Sequence, residues 1–287
     1  MNPLHEQQIG IIGAGNMGSA IIQAVLQRGD LLPEDITASD PSPQQRESIR
    51  KQFQIQVTDD NRRAVQGADI IILSVKPQIL NKVMNELQGE IPDQALVFSI
   101  VAGRSISSLQ QGLKHPAVIR SMPNTPAQIG EGMTVWTDSE QVTDDQREQG
   151  RSLLAALGKE LHVDHEDTIN MATAVSGTGP TYIFLLIEAL VDAAVHLGFS
   201  RRDARYIVLQ TVLGSVKFAQ GSDLHLAQLR NMVTSPGGTS AEAIYQLEKG
   251  GMRTILSKAV WSAYQKSRLL GKESGDPIEA PLDLEGD

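Results

Sequence analysis

Short apolar runs alternate with polar stretches of helical spacing along the first half of the chain. The runs are rich in Ile, Val and Ala, and they lie at residues 8–12, 36–39, 68–75, 95–101 and 117–122. Strands that alternate with helices predict a parallel sheet covered by helices. Residues 70–73 are apolar at four successive positions, which predicts a strand in the centre of that sheet. We therefore expect an α/β domain over residues 1–165.

The spacing of the apolar residues changes after about residue 165. Residues 182–197, 201–220 and 240–270 carry them at helical intervals, and the strand pattern stops. The sequence therefore predicts an all-α second domain over residues 166–271. Its first helix carries an apolar stripe that is too wide for a helix packed on one side, so we expect dimerisation through this domain. The stripe consists of Ile183, Leu186, Ile187, Leu190, Val191 and Ala194.

Composition argues against several classes of function. At 287 residues and 40% apolar, the chain is long enough to bury the cores of two domains. The formal net charge of -9 provides no basic surface for a phosphate backbone, so nucleic acid is not an expected partner. The chain has no cysteine, which rules out disulfides and thiolate catalysis and agrees with a reducing compartment.

The two ends of the chain carry little sign of targeting or binding. The first residues lack a basic segment followed by an apolar signal core, and no apolar run suggests a membrane span. We expect a cytoplasmic protein without a membrane partner. The histidines show no metal-ligand spacing, so no metal site is expected. Residues 272–287 are rich in Asp, Glu, Pro and Gly, which predicts a disordered acidic tail.

A glycine-rich turn follows the first apolar run and precedes a helical pattern. Gly13, Gly15 and Gly18 have the spacing G-x-G-x-x-G. In this setting the first glycine permits a tight turn, the second lets the backbone approach a pyrophosphate, and the third lets helix and strand pack closely. Backbone N–H groups at the helix start would face the anion. The sequence therefore predicts a Rossmann-type dinucleotide site at Ile12, Gly13, Ala14, Gly15, Asn16 and Met17.

Charged residues beyond the second strand bear on the choice between NADH and NADPH. Asp40 stands where a carboxylate binds the adenosine ribose diol and repels a 2′-phosphate. Arg46, Arg62 and Arg63 are candidate phosphate partners, although each is equally well explained as a solvated helix charge. Asn61 is also predicted to contact the cofactor. The expected cofactor is NADPH or NADH, and the sequence leaves the preference open.

Two further strand ends are expected to border the dinucleotide, because ligands of such sheets lie outside the carboxyl ends of the strands. Lys76 either contacts phosphate or only covers an exposed strand end, and the sequence favours neither. Small residues after the next strand suit a flat nicotinamide ring and also suit any tight turn. The predicted contacts are Ser74, Val75, Lys76, Pro77, Ile100, Val101 and Ala102.

Three more segments are unusual in composition. Residues 120–126 read Arg-Ser-Met-Pro-Asn-Thr-Pro, residues 174–180 read Ala-Val-Ser-Gly-Thr-Gly-Pro, and residues 234–240 read Thr-Ser-Pro-Gly-Gly-Thr-Ser. Together with the glycine turn and residues 74–77, they make the chain resemble the pyrroline-5-carboxylate reductase family over nearly its whole length. The resemblance implies NADPH- or NADH-dependent reduction of 1-pyrroline-5-carboxylate to proline. It also implies an N-terminal Rossmann-type domain followed by an all-α dimerisation domain, with rings of dimers in some members.

The third segment makes chemical sense as a binding turn for a carboxylate. Gly237 and Gly238 precede a helical pattern, so unpaired N–H groups and the positive end of the helix dipole would face an anion. Thr239 or Ser240 is equally suited to cap the helix, with Glu242 near the capping-box position. Both roles use the same N–H groups, so they are compatible.

The resemblance assigns the substrate contacts to Asp223, Gly237, Gly238, Thr239 and Ser240. It gives the hydroxyl of Ser240 the catalytic role of donating to the imine nitrogen. Serine stands here where the family commonly has threonine, which retains the hydroxyl but leaves χ1 freer. His225 lies nearby and is followed by leucine where the family often has proline. It is either a proton donor or an exposed loop histidine, and we favour the second.

Two other functions stay open at this point. One is a reductase or dehydrogenase for another imine or a β-hydroxyacid, since the fold alone does not select the substrate. The glycine pair at 237–238 and the lack of a lysine in residues 176–180 argue against it. The other is a dinucleotide-sensing protein without turnover, which has no evident use for a second anion-binding turn.

Overall fold

The structure, a computed structural model, describes residues 2–273 of the chain. It forms two compact units: one contains the chain up to Thr178 and again from Ala263, and the other is Gly179–Ser262. The division into domains at residue 165 stays a prediction. So does the disordered tail, since residues 274–287 lie outside the described part of the chain.

An eight-stranded sheet forms the centre of the first unit, in the order β3-β2-β1-β4-β5-β6-β7-β8. Strands β1 to β6 are parallel, β7 is antiparallel to β6, and β8 is parallel to β7. The strands are β1 (Ile9–Ile12), β2 (Ile36–Ser39), β3 (Gln56–Thr58), β4 (Ile70–Leu73), β5 (Leu96–Ser99), β6 (Val118–Met122), β7 (Gly132–Asp138) and β8 (Gly158–His162). The predicted α/β fold class is confirmed.

Three strands were missed by the sequence pattern, and one of them changes the direction of the sheet. Strand β3 has only three residues, and β8 alternates half-buried and exposed positions, so neither forms an apolar run. Strand β7 follows β6 through residues 123–131, which hold only the short 3-10 helix Thr125–Ile129. A parallel pair needs a longer crossover, usually through a full helix, so this connection leaves an antiparallel return.

Helices cover both faces of the sheet. Those of the first unit are α1 (Asn16–Arg28), α2 (Pro43–Phe53), α3 (Asn61–Val65), α4 (Pro77–Leu87), α5 (Ile106–Leu113), α6 (Asp144–Ala156) and α7 (Asp167–Ala172). Strand β4 shows the two-sided burial most clearly, because Ile70 and Ile72 join the core on one face and Ile71 and Leu73 join the core on the other. Its predicted central position is confirmed.

Local sequence signals set several helix boundaries. The Ser42 side chain accepts a hydrogen bond from the Gln45 backbone at the start of α2, where Pro43 is the first helical residue. Thr143 and Gln146 form a capping box at the start of α6. Helix α1 ends at Gly29, which adopts the left-handed conformation with φ 72°.

The described chain beyond residue 165 contains helices and no strand. After α7 and a π-helical turn at Thr173–Gly177, the helices are α8 (Gly179–His196), α9 (Arg201–Gln220), α10 (Leu226–Met232), α11 (Thr239–Lys249) and α12 (Met252–Glu273). The segment 240–270 is therefore two helices, separated at Gly250 and Gly251. Gly251 has φ 71°, a conformation that interrupts a right-handed helix.

Helix α8 leaves much of its apolar stripe exposed in a single chain. Val191 is buried against α9, whereas Ile183, Leu186 and Leu190 are 47%, 38% and 43% exposed. By length and composition alone, the stretch Asp167–His196, which contains α7, the π-helical turn and α8, is apolar enough to cross a membrane. The core helix of a soluble protein passes the same test, so the expected lack of a membrane partner stays a prediction.

A buried polar network connects the end of α12 to the sheet unit. Arg120 on β6 donates from Nη1 to Glu166 Oε1 (2.6 Å) and from Nη2 to Asn170 Oδ1 (2.9 Å). The Tyr264 hydroxyl on α12 donates to Asp167 Oδ2 (2.7 Å). The last turns of the helix are thereby held on α7.

Candidate functional site

The loop between β1 and α1 has the backbone that a pyrophosphate site requires. Gly13 has φ 92°, and a Cβ there would lie 2.7 Å from the Ser74 carbonyl oxygen. A Cβ on Gly18 would lie 2.3 Å from the Gly13 carbonyl oxygen, so only glycine allows this approach of helix and strand. Both glycines therefore perform the structural tasks that the fingerprint assigns to them.

Gly15 differs from these two glycines because the space beside it is open. It is the N-cap residue of α1, where no side chain caps the helix, and a Cβ would meet nothing within 4 Å. The first N–H groups of α1 therefore face a space that a Cβ would partly fill. This arrangement fits the pyrophosphate of a dinucleotide.

Asp40, which follows β2, is hydrogen-bonded to the loop between β1 and α1. Its Oδ2 accepts a hydrogen bond from the Ala14 backbone N–H (3.1 Å), and its Oδ1 accepts one from the Ser42 N–H (2.9 Å). The Gln45 side chain donates to the Ala14 carbonyl oxygen (2.5 Å). The carboxylate is thus fixed beside the glycine turn.

The ends of four neighbouring strands bring the predicted cofactor residues to one edge of the sheet. Ile12 is in register with Ser39 and Leu73, and Leu73 is in register with Ser99. The loops after these strand ends therefore lie side by side. They carry Ile12, Gly13, Ala14, Gly15, Asn16, Met17, Asp40, Ser74, Val75, Lys76, Pro77, Ile100, Val101 and Ala102.

The side chains at this edge differ in how far they are free to contact a ligand. Those of Ile12 and Val101 belong to the buried core, so only their backbone atoms face the edge. Asn61 accepts a hydrogen bond from Ser39 Oγ (2.7 Å) and donates to a carboxylate on α4, so its amide is already engaged. Lys76 is exposed at the start of α4, consistent with either role considered for it.

The predicted substrate residues lie in the second unit. Helix α11 begins at Thr239, and its N-cap residue is Gly238, with no side-chain cap. The alternative that Thr239 or Ser240 caps the helix is therefore wrong, and Glu242 forms no capping box. Neither hydroxyl makes a hydrogen bond with any residue that the structure describes. Gly237 has φ 70°, which turns the chain into the helix.

His225 has a structural role that the sequence did not indicate. It is the N-cap residue of α10, where its Nδ1 accepts a hydrogen bond from the Ala227 N–H (3.1 Å) and Gln228 completes a capping box. Nδ1 must be unprotonated to accept this bond. The capping box also starts α10 without the proline that is common after this histidine in the family. Asp223 is exposed two residues earlier.

Two of the unusual segments are joined directly in the first unit. The Asn124 side chain donates to Ser176 Oγ (3.3 Å) and accepts a hydrogen bond from the Met133 N–H (2.9 Å). Ser176 lies in the π-helical turn, a distortion that often occurs at functional sites. Sequence reasoning did not assign these residues, because neither the turn type nor the pairing has a local signal.

The sheet, its glycine turn and the helices that follow define the class of Rossmann-type NAD(P)-dependent oxidoreductases with a helical C-terminal part. Residues 8–103 match the family model for NADP oxidoreductase coenzyme F420-dependent, and residues 166–270 match the model for pyrroline-5-carboxylate reductase dimerisation. The chain belongs to the pyrroline-5-carboxylate reductase family.

Individual relatives cover almost the whole chain. It is 39% identical to the pyrroline-5-carboxylate reductase of Synechocystis sp., over 93% of this chain and 99% of the relative. It is 40% identical to that of Pseudomonas aeruginosa, over 93% and 98%. The solved pyrroline carboxylate reductase of Plasmodium falciparum, with NADP bound, superimposes with a TM-score of 0.86 at 31% identity, over 93% of this chain and 98% of that one.

Proposed function

We propose that this protein reduces 1-pyrroline-5-carboxylate to L-proline with NADPH or NADH, the last step of proline biosynthesis. The observation that carries the proposal is the turn at 237–240, which has the features of a second anion-binding turn in addition to the dinucleotide fingerprint. Its helix has no side-chain cap, and the two hydroxyls at its start, of Thr239 and Ser240, make no hydrogen bond within the described part of the chain. Relatives that share the whole length of the chain are named pyrroline-5-carboxylate reductases.

The start of α11 has the groups that a substrate carboxylate needs. Within the turn, the Gly238 N–H donates to the Ser235 carbonyl oxygen (3.0 Å), and the Ala241 N–H donates to the Gly238 carbonyl oxygen (3.1 Å). The N–H groups of Thr239 and Ser240 have no acceptor among the described residues. These two N–H groups and the positive end of the helix dipole would hold the carboxylate.

Reduction of a C=N bond needs a hydride on carbon and a proton on nitrogen. The nicotinamide of the bound cofactor supplies the hydride. The protein's part is to hold the imine in a fixed orientation, with the Ser240 hydroxyl donating a hydrogen bond to its nitrogen. This hydrogen bond applies to the neutral imine, whose nitrogen has a lone pair to accept it. An imine that is already protonated in solution brings its own proton and needs no acid from the protein. The reaction therefore needs no proton donor other than Ser240 among the assigned residues.

The assay that tests the proposal compares substrates. Oxidation of NADH and NADPH is followed by absorbance with pyrroline-5-carboxylate and with a six-membered cyclic imine, and reduction of NAD+ and NADP+ is followed with a β-hydroxyacid. We expect a specificity constant for pyrroline-5-carboxylate that exceeds the others by about a hundredfold or more, because the carboxylate-binding turn and the ring must be fitted together. A higher value for either competitor would replace the proposal.

We propose further that the protein works as a homodimer in the cytoplasm, that such dimers can assemble into larger rings, and that it has no nucleic acid or membrane partners. The exposed stripe of α8 and the family's dimerisation model over residues 166–270 support self-association. The net charge of -9 argues against nucleic acid. Light scattering on the purified protein measures the subunit number, and a monomer at micromolar concentration would contradict this proposal.

A further inference from the structure

We propose that this chain binds NADH in preference to NADPH, because Asp40 fixes a carboxylate at the ribose end of the cofactor site. The inference rests on the proposed function, since it concerns the cofactor of that reaction. It goes beyond the family assignment, in which the solved P. falciparum relative has NADP bound.

The Asp40 carboxylate cannot easily turn away from the site. Its two oxygens are held by the N–H groups of Ala14 and Ser42, at 3.1 Å and 2.9 Å. Ala14 is itself held from the other side by the side chain of Gln45. Moving the carboxylate would break bonds that shape the glycine turn.

The same carboxylate keeps its capacity to accept hydrogen bonds from a ribose. A carboxylate has about four lone-pair positions, of which the two backbone bonds use two. The 2′- and 3′-hydroxyls of NADH are donors that suit the remaining positions at the end of the second strand. A 2′-phosphate has no hydrogen to donate when ionised and would meet a fixed negative charge.

The arginine nearest to Asp40 does not offset this charge for a phosphate. Arg46 donates from Nη1 to the carbonyl oxygens of Asp40 (2.6 Å) and Pro41 (3.0 Å), and its Nη2 lies 3.5 Å from Asp59 Oδ2. Its guanidinium is therefore committed to the loop that carries Asp40.

The two arginines on α3, Arg62 and Arg63, differ in whether they contact other residues. Arg62 donates from Nε to the Glu86 carbonyl oxygen (3.2 Å) and lies 3.6 Å from Glu90 Oε1. Arg63 is exposed and has no hydrogen bond or ion pair with any described residue. Of these arginines, only the solvated Arg63 is free to attract a 2′-phosphate. The Asp40 carboxylate, which would repel the phosphate, is held in place on the glycine turn.

The test measures binding rather than turnover. Isothermal titration calorimetry of the full-length protein with NADH and with NADPH, without substrate, gives the two dissociation constants. We expect NADH to bind about tenfold more tightly or better. Asp40→Asn keeps the size of the side chain and removes its charge, so the ratio should fall to about threefold or less, mainly because NADPH binds more tightly.

Two matched variants separate this effect from general ones. Asp145→Asn makes the same change of charge at the start of α6. This helix follows β7, which runs antiparallel to β6 and therefore ends at the edge of the sheet opposite the cofactor site. The ratio of the two dissociation constants should therefore stay unchanged. Arg63→Gln should leave both constants within about twofold. A selective loss of NADPH binding in Arg63→Gln would reveal a phosphate site there and overturn the inference.

The remaining outcomes are also decisive. Equal or tighter binding of NADPH by the natural sequence would overturn the inference while leaving the proposed reaction intact. An equal loss of both cofactors in Asp40→Asn, in protein with an unchanged melting temperature, would show that Asp40 only shapes the loop. Binding of neither cofactor would overturn the proposed function and the inference together.

Discussion

The Tyr264 hydroxyl donates a 2.7 Å hydrogen bond to Asp167 Oδ2, across 97 positions of the sequence. Both side chains are buried. Burial raises the pKa of Tyr264, and the hydrogen bond to the negative Asp167 adds to this rise, so the phenol stays a donor at neutral pH. The bond holds the end of α12 against α7, where a buried carboxylate would otherwise lose a partner.

Replacing this tyrosine tests the contact. Tyr264→Phe leaves the buried Asp167 carboxylate without its hydroxyl donor, so the free energy of unfolding should fall by about 1.5–3 kcal/mol. Urea unfolding at one fixed protein concentration measures it. Tyr206→Phe is the matched control, because Tyr206 is 75% exposed on α9. Equal midpoints for the two variants would show that the bond contributes nothing.

Gly15 allows the cofactor site to be tested apart from folding. A Cβ at this position meets no protein atom within 4 Å, so Gly15→Ala should fold normally. The added methyl group would occupy the space where the pyrophosphate approaches the backbone, and the dissociation constant for the dinucleotide should rise about tenfold or more. Gly214→Ala, equally free of contacts, should bind as before. Unchanged binding by Gly15→Ala would remove the pyrophosphate from this loop.

The hydroxyl of Ser240 is predicted to act on the substrate and not on the cofactor. Ser240→Ala should lower kcat about a hundredfold, because it removes a donor to the imine nitrogen, and should leave the cofactor dissociation constant unchanged. Ser240→Thr retains the hydroxyl and should keep most of the activity. Ser257→Ala, on α12, controls for the loss of a helical serine. A parallel loss of turnover and cofactor binding in Ser240→Ala would indicate a structural role.

His115 predicts part of the pH dependence of stability. It is 4% exposed, and burial lowers its pKa from the ordinary value of 6.5, against the opposing effects of the Ala95 carbonyl, 2.6 Å from Nε2, and of Asp93. The unfolded chain therefore binds a proton more readily than the folded chain. Stability should fall as the pH drops below about 6.5 towards the lower folded pKa.

The variant His115→Gln keeps a donor for the Ala95 carbonyl and cannot titrate. Urea unfolding at several pH values between about 5 and 7.5 should show a shallower loss of stability for this variant than for the natural sequence. Identical slopes for the two proteins would mean that His115 titrates with the same pKa in both states.

Much of the fold was predictable because its signals are local. Ile70 to Leu73 are apolar at successive positions, and Gly13 and Gly18 meet steric demands that any strand–turn–helix unit of this kind imposes. The antiparallel direction of β7 was not predictable in the same way, since it depends on the length of the connection from β6. Gly250 and Gly251 are visible in the sequence as a glycine pair, but the helical spacing continues on both sides of them and predicts one helix over residues 240–270.

The parts of the site that escaped prediction depend on partners far away in the sequence. Asp40 was assigned to a ribose from its position, yet its bond to Ala14 exists only because β2 lies beside β1. The sequence is compatible with His225 as an acid or as a loop residue. Its capping bond follows from the start of α10, a helix that the apolar pattern does not indicate. Tyr264 and Asp167 carry no motif, and tertiary packing alone brings them together.

Proline formation by the purified protein is the most direct test of the proposed reaction. Pyrroline-5-carboxylate is incubated with each reduced cofactor, and proline is quantified together with the cofactor consumed. The proposed mechanism predicts one proline for each NADH or NADPH oxidised, with both products formed about a hundredfold more slowly by Ser240→Ala. Binding of the cofactor without any proline, or oxidation of the cofactor without matching proline, would contradict it.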